Sequence, residues 1–300
     1  MSMISVVQLG TIAYAEGLRL QQKLVELRKS GQVGDVLLLL EHTPAITLGR
    51  NARAANVLVS ASQLAARGVE AFDCDRGGDV TFHGPGQVVG YPIFDLRGFS
   101  RGPSAVSRQP SAISRQPSAV SQQEASDTAS ASLPLERKTL GAVDYVRRLE
   151  EVLIRTCADF GIAAKRVSGL TGVWTDKDRT ASCVDALDEA KIAAIGVHIS
   201  RSVTSHGFAL NVNTDLSFFD LIVPCGITSK PVTSMQKELG REVSLTAVAQ
   251  SLSRNFGNVF GRQMRWPESL DVFLGQTVGV PMKAPKELRQ MHGDSDRFLA

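Results

Sequence analysis

The sequence predicts a globular protein of the α/β or α+β class, and three observations support this. Hydrophobic residues make up 43% of the 300 residues and charged residues 21%, which provides enough apolar material for a sizeable core. Several segments repeat their apolar residues with the period of a helix. Others are continuous apolar runs bounded by turn residues, as in buried strands, so we expect helices and strands together.

Three segments have the spacing of amphipathic helices. Residues 11–30 place Leu20, Leu24 and Leu27 at steps of four and three among polar residues, and Gly31 provides a stop signal. Two later segments have the same spacing: residues 143–160, through Val146, Leu149, Leu153 and Cys157, and residues 241–260, through Leu245, Val248, Leu252 and Phe256. Each helix is therefore expected to bury one face.

Three other segments are predicted strands. The run from Asp35 to Glu41 is continuously apolar in its middle and suits a buried strand. Residues 191–200 and 206–213 are joined by a short polar turn, which predicts a hairpin. Gly196 and Gly207 interrupt these strands and indicate that a ligand or another backbone approaches closely there.

A seven-residue motif occurs three times in succession, as PSAVSRQ, PSAISRQ and PSAVSQQ from Pro103. Proline in every repeat blocks a helix, and the surrounding Ser, Gln and Arg residues bury little apolar surface. Residues 100–134 are therefore predicted to be a disordered low-complexity insertion. It interrupts a single predicted domain over residues 1–283, followed by a polar tail at 284–300.

Charge and cysteine spacing exclude several classes of function. Lys and Arg number 33 against 30 for Asp and Glu, and a net charge of +3 does not indicate nucleic-acid binding. The longest apolar run is far shorter than a membrane helix requires, and no secretory signal opens the chain. The four cysteines form no CxxC pair, which argues against a zinc site and a disulfide framework: Cys74, Cys157, Cys183 and Cys225. We expect a cytoplasmic protein without a metal or a membrane partner.

The segment RGGDVTFHGPGQ, from Arg76 to Gln87, is the first candidate binding element. Its glycines permit close approach to a ligand, and Arg76 and His83 provide donors for a carbonyl or an anion. It lacks both GxxxxGK[ST] and GxGxxG, so it is not a nucleotide-binding loop of either kind. A tight turn with a core histidine remains an equal alternative.

Cys225 is the candidate nucleophile, because Pro224 and Gly226 indicate a rigid turn around it. A free thiol is only a few per cent thiolate at neutral pH, so a nucleophilic cysteine needs a nearby cation. Lys191 begins an apolar strand and is a candidate for that cation. The residues alone also permit a buried inert cysteine and a solvated lysine.

Three segments in order resemble the lipoyl(octanoyl) transferase family: RGGDVTFHGPGQ, KIAAIGVHISRSVTSHGFALNVN and IVPCGITSKPVTSM. The segments LLLLEHTPAITLGR, RRLEEVLIRTCADFGI and GVWTD are also similar to that family. The resemblance therefore extends from about residue 5 to about residue 280, apart from the insertion. It implies an α+β fold, the catalytic domain shared with biotin and lipoate protein ligases, in which helices flank a mixed β-sheet.

The resemblance also implies an activity. An octanoyl group would pass from octanoyl-acyl carrier protein to Cys225 as a thioester, and then to a lysine of a lipoyl domain, without ATP or a cofactor. This is the first step of endogenous protein lipoylation, and the acceptors would be the lipoyl domains of 2-oxoacid dehydrogenase complexes and the glycine cleavage H protein. Lys191 would favour the Cys225 thiolate and act as acid and base.

The acyl-binding residues implied by the resemblance lie in three segments: Arg76, Gly77, Gly78, Asp79, Val80, Thr81, Phe82 and His83; Ala194, Ile195 and Gly196; Gly207, Phe208 and Ala209. Ile195, Phe208 and Val80 would line a slot for an eight-carbon chain, although core packing explains them equally well. Gly196 and Gly207 would leave room for that chain.

Three features depart from the family pattern. His198 stands where an arginine is common, and Ser202 and Ser205 stand where aromatic residues are expected. The loop 175–190 is also longer and more acidic than expected. These positions would alter the docking of a partner without touching Cys225 or Lys191.

Three other functions compete with this interpretation. An ATP-dependent lipoate or biotin ligase would share the fold, but the chain has no GRGRRG-like loop and such ligases need no nucleophilic cysteine. A non-catalytic module that binds a carrier protein would not need Cys225 and Lys191 intact. A cysteine thioesterase would release free octanoate.

Overall fold

The structure is a computed structural model that describes residues 3–99, 139–176, 189–227, 230–267 and 270. The predicted insertion at 100–134 and the predicted tail at 284–300 lie outside these residues, as does most of the 175–190 loop. No helix of the described ranges combines the length and the apolar composition needed to cross a membrane.

The described residues form eleven strands, five α-helices and four short 3₁₀ helices. The strands are β1 (Met3–Ile12), β2 (Asp35–His42), β3 (Ala45–Leu48), β4 (Glu70–Asp73), β5 (Val80–His83), β6 (Gln87–Ile93), β7 (Ala164–Val167), β8 (Leu170–Thr175), β9 (Lys191–Ser200), β10 (Val203–Asn211) and β11 (Gln263–Arg265). The helices are α1 (Tyr14–Lys29), α2 (Ala61–Ala66), α3 (Ala142–Asp159), α4 (Met235–Leu239) and α5 (Leu245–Phe260).

Eight strands form one mixed sheet in the order β11-β1-β2-β6-β10-β9-β8-β7. The β11-β1 and β1-β2 pairs are parallel, and all the later pairs are antiparallel. A second sheet, β4-β3-β5, lies beside it. The predicted α+β class with a mixed sheet and flanking helices is therefore confirmed.

Helices cover both faces of the large sheet because each has one apolar side. α3 and α5 contribute Leu149, Leu153 and Phe256 to the core on one face, and α1 packs Leu20 and Leu24 against the other. A third apolar cluster fills the space beneath the small sheet. The large sheet is therefore buried on both faces, and its strand ends can carry functional side chains.

The predicted helices, the buried strand and the hairpin are all present, with shifted ends. α1 begins at Tyr14 rather than at residue 11, because residues 3–12 form β1, a strand that the pattern analysis missed. A register shift between Gln8 and Thr11, next to Gly10 in the left-handed region (φ 64°), breaks the alternation that would have revealed it. β10 begins at Val203 rather than at residue 206.

Candidate active site

Cys225 lies at the centre of a short 3₁₀ turn, Pro224–Gly226. The Gly226 N–H donates to Val223 O at 3.0 Å, and the Ile227 N–H donates to Pro224 O at 3.0 Å. Cys225 itself is in the left-handed region (φ 57°, ψ 19°), which costs a residue with a Cβ about 1–2 kcal/mol. Such strain persists only where the surroundings enforce it.

Two neighbouring segments hold this turn in place. The Val223 N–H donates to Asn56 O at 2.7 Å, and Asn56 Nδ2 donates to Asp79 Oδ2 at 2.6 Å. A Cβ added to Gly226 would lie 2.7 Å from the same Asp79 oxygen, so only glycine fits there without movement. Asp79, a predicted acyl-binding residue, therefore supports the turn that presents Cys225.

Lys191 is the first residue of β9, and its Nζ donates to Cys225 Sγ at 3.0 Å. The Lys191 N–H donates to Pro231 O at 2.8 Å, and the Thr233 N–H donates to Lys191 O at 2.9 Å. Only 7% of Lys191 is exposed, so the alternative of a solvated lysine at a strand end is wrong. The backbone contacts fix the point from which its side chain reaches the sulfur.

The other described cysteines lie in settings without such a cation. Cys157 is fully buried on α3, where burial raises the pKa of its thiol to about 12. The Cys74 thiol donates to the backbone oxygen of Leu48 at 3.3 Å. Cys183 lies outside the described residues. Within the described ranges, Cys225 is thus the cysteine that a lysine contacts.

A cavity of about 230 Å³ opens beside Cys225. Its lining includes most of the predicted acyl-binding residues: Arg76, Gly78, Asp79, Thr81, His83, Ala194, Ile195, Gly196, Gly207, Phe208 and Ala209. Along the paired strands β9 and β10 it extends from Lys191 to Gly196, a rise of five steps or about 16 Å of strand. Tyr14, His83 and Tyr91 line it as well, and we call these three residues the aromatic end.

Three of the predicted binding residues belong to the apolar core. Phe208 borders the cavity but is 3% exposed and stacks on Phe256 in the core next to α5. Val80 and Phe82 pack in the cluster beneath the small sheet, and the Phe82 ring stacks on Phe218 with centroids 4.7 Å apart. Side chains alternate along β5, so its two faces meet different surroundings and Thr81 faces the cavity. The expectation that Val80 lines the slot is therefore wrong. Gly77 is also absent from the lining.

The two strand glycines border the cavity and lie directly against other backbone segments. A Cβ on Gly196 would lie 2.6 Å from Gly77 O, and one on Gly207 would lie 2.1 Å from Gly90 O. Of the two reasons expected for these glycines, close approach of another backbone is therefore the one that the structure shows. The room beside them is defined by Ala194 and Ala209, which face each other across β9 and β10.

The Arg76 guanidinium donates to backbone oxygens of its own loop and of β3. It donates to Thr47 O at 2.6 Å, to Asp79 O at 2.7 Å and to Gly77 O at 3.1 Å. Arg76 is buried, and these carbonyls replace the water that it loses. The contacts fold the residues 76–79 over β9, so Arg76 shapes the wall of the cavity.

His83 is neutral, and the bonds around it identify its tautomer. Gln87 Nε2 donates to Phe82 O and to Asn211 Oδ1, so Gln87 Oε1 is left as an acceptor for His83 Nδ1–H at 2.8 Å. Burial lowers the pKa of His83 to about 3. The alternative of a core histidine therefore describes His83 better than a donor to an anion does.

His42 repeats this arrangement behind the cavity. Its Nδ1 contacts the backbone oxygen of Ile12 at 3.1 Å and must donate to it, so Nε2 accepts from the Tyr91 hydroxyl at 2.6 Å. Burial lowers the pKa of His42 to about 4. The polar atoms of His42, His83 and Tyr91 thus bond to one another and to the protein.

The departure at His198 has a structural counterpart that the sequence did not reveal. His198 Nδ1 and His206 Nε2 bond to the two oxygens of Asp75, the latter at 2.7 Å. Ser202 lies in the hairpin turn with φ 66°. Asp75, Tyr14 and Tyr91 carried no motif, and Trp174 belongs to the family-like segment GVWTD without a role having been expected for it; their proximity in the fold relates all four to the site.

No group of three or more His, Cys, Asp or Glu residues within the described ranges is arranged to hold a metal ion. Lys191 and Cys225 place an amine next to a thiol, beside a cavity that both residues line.

Comparisons with known proteins agree with this fold and cover the whole site. The family model of the lipoyl protein ligase A/B catalytic domain matches residues 13–113 and 120–257. An octanoyltransferase of Koribacter versatilis is 50% identical over 292 residues, which is 97% of this chain and 98% of that protein. An octanoyltransferase of Acidobacterium capsulatum is 52% identical over 268 residues, 89% of this chain and 94% of that protein.

Solved structures show the same fold at low identity. A bi-partite lipoate protein ligase from Thermoplasma acidophilum is similar with a TM-score of 0.59 at 14% identity, over 99% of this chain and 93% of that one. A lipoate-protein ligase A bound with ATP has a TM-score of 0.55 at 13% identity, over 99% and 94%. The predicted resemblance is confirmed: this chain belongs to the octanoyltransferase family, is built on the lipoyl protein ligase A/B catalytic domain, and is an acyltransferase.

Proposed function

We propose that this enzyme transfers an octanoyl group from octanoyl-acyl carrier protein to a lysine of a lipoyl domain through a thioester on Cys225. The observation that carries the proposal is the 3.0 Å contact between Lys191 Nζ and Cys225 Sγ at the mouth of the cavity. The acceptors would be lipoyl domains of 2-oxoacid dehydrogenase complexes and the glycine cleavage H protein. The relatives are named octanoyltransferases, which supports octanoyl transfer as the reaction.

In the first half-reaction the Cys225 thiolate attacks the carbonyl carbon of the donor thioester. The new C–S bond forms as the donor C–S bond breaks, and the departing thiolate takes a proton from the Lys191 ammonium. One thioester replaces another, so no ATP is required. The enzyme is left with an octanoyl group on Cys225 and a neutral amine on Lys191.

In the second half-reaction a neutral acceptor amine attacks the acyl-enzyme. An amide C–N bond forms, the Cys225 thiolate departs, and the proton lost by the attacking nitrogen moves to Lys191. The thiolate and ammonium of the starting enzyme are thereby restored.

The cavity provides the binding energy for the acyl chain. Ala194 and Ile195 on β9 and Phe208 and Ala209 on the paired strand β10 are apolar and border the cavity. Each buried methylene contributes about 0.8 kcal/mol, so eight carbons would be held firmly while the carbonyl remains at Cys225.

Intact-mass spectrometry tests the proposal. The wild type, Cys225→Ser and Cys74→Ser are mixed with octanoyl-acyl carrier protein, and an apo lipoyl domain is then added. Cys74 is the matched control, because it is a half-buried cysteine that donates to a backbone oxygen. We expect an octanoyl adduct on the wild type and on Cys74→Ser, lost in Cys225→Ser and discharged onto the lipoyl domain.

Other outcomes identify the competing functions. Labelling of the lipoyl domain from free octanoate and ATP would indicate a ligase. Release of free octanoate without a lipoyl domain would indicate a thioesterase. Binding of the carrier protein without any adduct on the wild type would indicate a non-catalytic module.

A further inference from the structure

The Lys191 side chain passes over the face of an indole ring. Trp174 lies on β8 directly across from Lys191 on β9, and it is 1% exposed. Lys191 Nζ is 5.2 Å from the centroid of the Trp174 ring. This is within the distance at which an ammonium is attracted by the negative face of an aromatic ring.

Gly172 forms the other side of the path that the lysine takes. Its φ is 126°, and a Cβ there would lie 2.8 Å from Lys191 Cε and 2.7 Å from Ala193 O. A side chain at this position would therefore displace the lysine. Gly172 and Trp174 together leave one course for the Lys191 side chain, and that course ends at Cys225 Sγ.

A second lysine contacts the same ring in a different electrostatic setting. Lys230 Nζ is 5.9 Å from the Trp174 centroid, and it pairs with Glu189 Oε2 at 2.5 Å. Lys191, by contrast, forms no salt bridge with any described carboxylate. The two lysines contact the same aromatic ring, but of the two only Lys230 pairs with a described carboxylate.

The absence of a carboxylate at Lys191 matters for the chemistry proposed above. A carboxylate would neutralise the charge that stabilises the thiolate and would hold the proton that must move. An aromatic face attracts the whole ammonium but has no lone pair that competes strongly for its protons.

We propose that Trp174 is a positioning residue for Lys191, whose indole face holds the ammonium against Cys225 and leaves its protons free for transfer. The inference deepens the proposed function and rests on it for the direction of proton transfer. The first part of the inference, that Trp174 holds the ammonium against Cys225, concerns only the reactivity of the thiol. That reactivity is measurable without any acyl donor.

Fluorinated tryptophan provides the sharpest test, since it weakens the negative face of the ring with little change in size. The chain has two tryptophans, and Trp266 is 43% exposed, so Trp266→Phe leaves Trp174 as the single labelled position. The rate of Cys225 alkylation by iodoacetamide is measured against pH. We expect the rate near neutral pH to fall stepwise with one, two and three fluorines, about tenfold in total, and the pH profile to shift. Equal rates across the series would overturn the proposal.

A double-mutant cycle separates positioning from packing. Trp174→Leu should slow alkylation about tenfold and Trp174→Phe less than threefold when Lys191 is present. In Lys191→Ala, the same Trp174 changes should alter the rate less than twofold, because the group on which the ring acts is gone. A loss of equal size in both backgrounds would show a structural role only. If the alkylation results hold but no octanoyl transfer occurs, the proposed function fails while the positioning role stands.

Discussion

At the Cys225 end of the cavity, the Lys191 ammonium donates to one sulfur and pairs with none of the described carboxylates. At the aromatic end, His83 and Tyr91 have protein partners for their polar atoms, and His42 behind them has a partner for each ring nitrogen. Both ends carry polar groups, and Lys191, His83 and Tyr91 are buried whereas Cys225 is half-buried. The two ends differ in whether hydrogen-bonding capacity is left for a substrate.

The difference shows that a buried polar side chain is not reactive merely because it is polar. Burial lowers the pKa of His42 to about 4 and of His83 to about 3, so these rings are neutral at physiological pH. Their protons are committed to carbonyl and amide oxygens. A buried polar cluster is therefore compatible with an acyl chain when its members satisfy one another, whereas catalysis requires a group whose partner changes during the reaction.

The largest expected effect is at the reactive end. Lys191→Ala should lower the rate of octanoyl transfer by a factor of about 10²–10⁴, because the thiolate loses its cation and the acceptor loses its base. Lys230→Ala is the matched control, since Lys230 contacts the same Trp174 ring but not Cys225, and it should change the rate less than about threefold. Single-turnover kinetics measure both. Similar losses in the two variants would contradict the assignment of Lys191.

The second prediction concerns the stability of the protein when Gly207, which borders the cavity on β10, is replaced. Gly207→Ala should destabilise the protein by at least about 3 kcal/mol, because its Cβ would lie 2.1 Å from Gly90 O on the neighbouring strand. Gly98→Ala is the control, since its Cβ would come no closer than 3.9 Å to Arg262 Nη2. Urea unfolding compares the two, and a stable Gly207→Ala with an altered acyl-chain preference would restore the ligand-room explanation.

Lowering the pH tests whether the buried histidines at and behind the aromatic end are neutral. The folded pKa values of His42 and His83 lie below the unfolded value of 6.5, so their stabilisation is complete above pH 6.5 and is lost as the pH falls toward 4 and 3. Each histidine should lower the free energy of unfolding by roughly 3 kcal/mol as the pH falls from 7 to 4. In His42→Gln this acid-dependent loss should be smaller by that amount, as measured by urea midpoints. Identical slopes for the two proteins would count against a neutral buried His42.

The smallest effect concerns the space between the two ends. Ala209→Val should reduce the room along β10, and each methylene that no longer fits costs about 0.8 kcal/mol, or about fourfold in kcat/KM. Transfer from octanoyl donors should therefore fall relative to hexanoyl donors. The two donors are compared on one protein preparation, which removes differences in folding. An unchanged ratio would place the acyl chain elsewhere.

Local pattern alone was sufficient for elements whose signal repeats. The apolar spacing of α1, α3 and α5 and the continuous run in β2 predicted those elements, because periodicity records which side of a segment is buried. β1 was not predicted, because a register shift interrupts the alternation of its buried and exposed residues. Val80 was expected to line the cavity but packs in the core. A period-two pattern shows that a strand has two different faces, but it does not show which face borders the cavity.

The sequence by itself determined the helices, the buried strand, the hairpin and, through six ordered motifs, the family with its cysteine and lysine. The tertiary structure decided what those residues contact. Cys225 and Lys191 are 34 positions apart, and their 3.0 Å contact depends on a strained turn, on Asn56 and on the start of β9. The role of Trp174 and the neutral state of His83 likewise arise from contacts between distant segments, which no local period encodes.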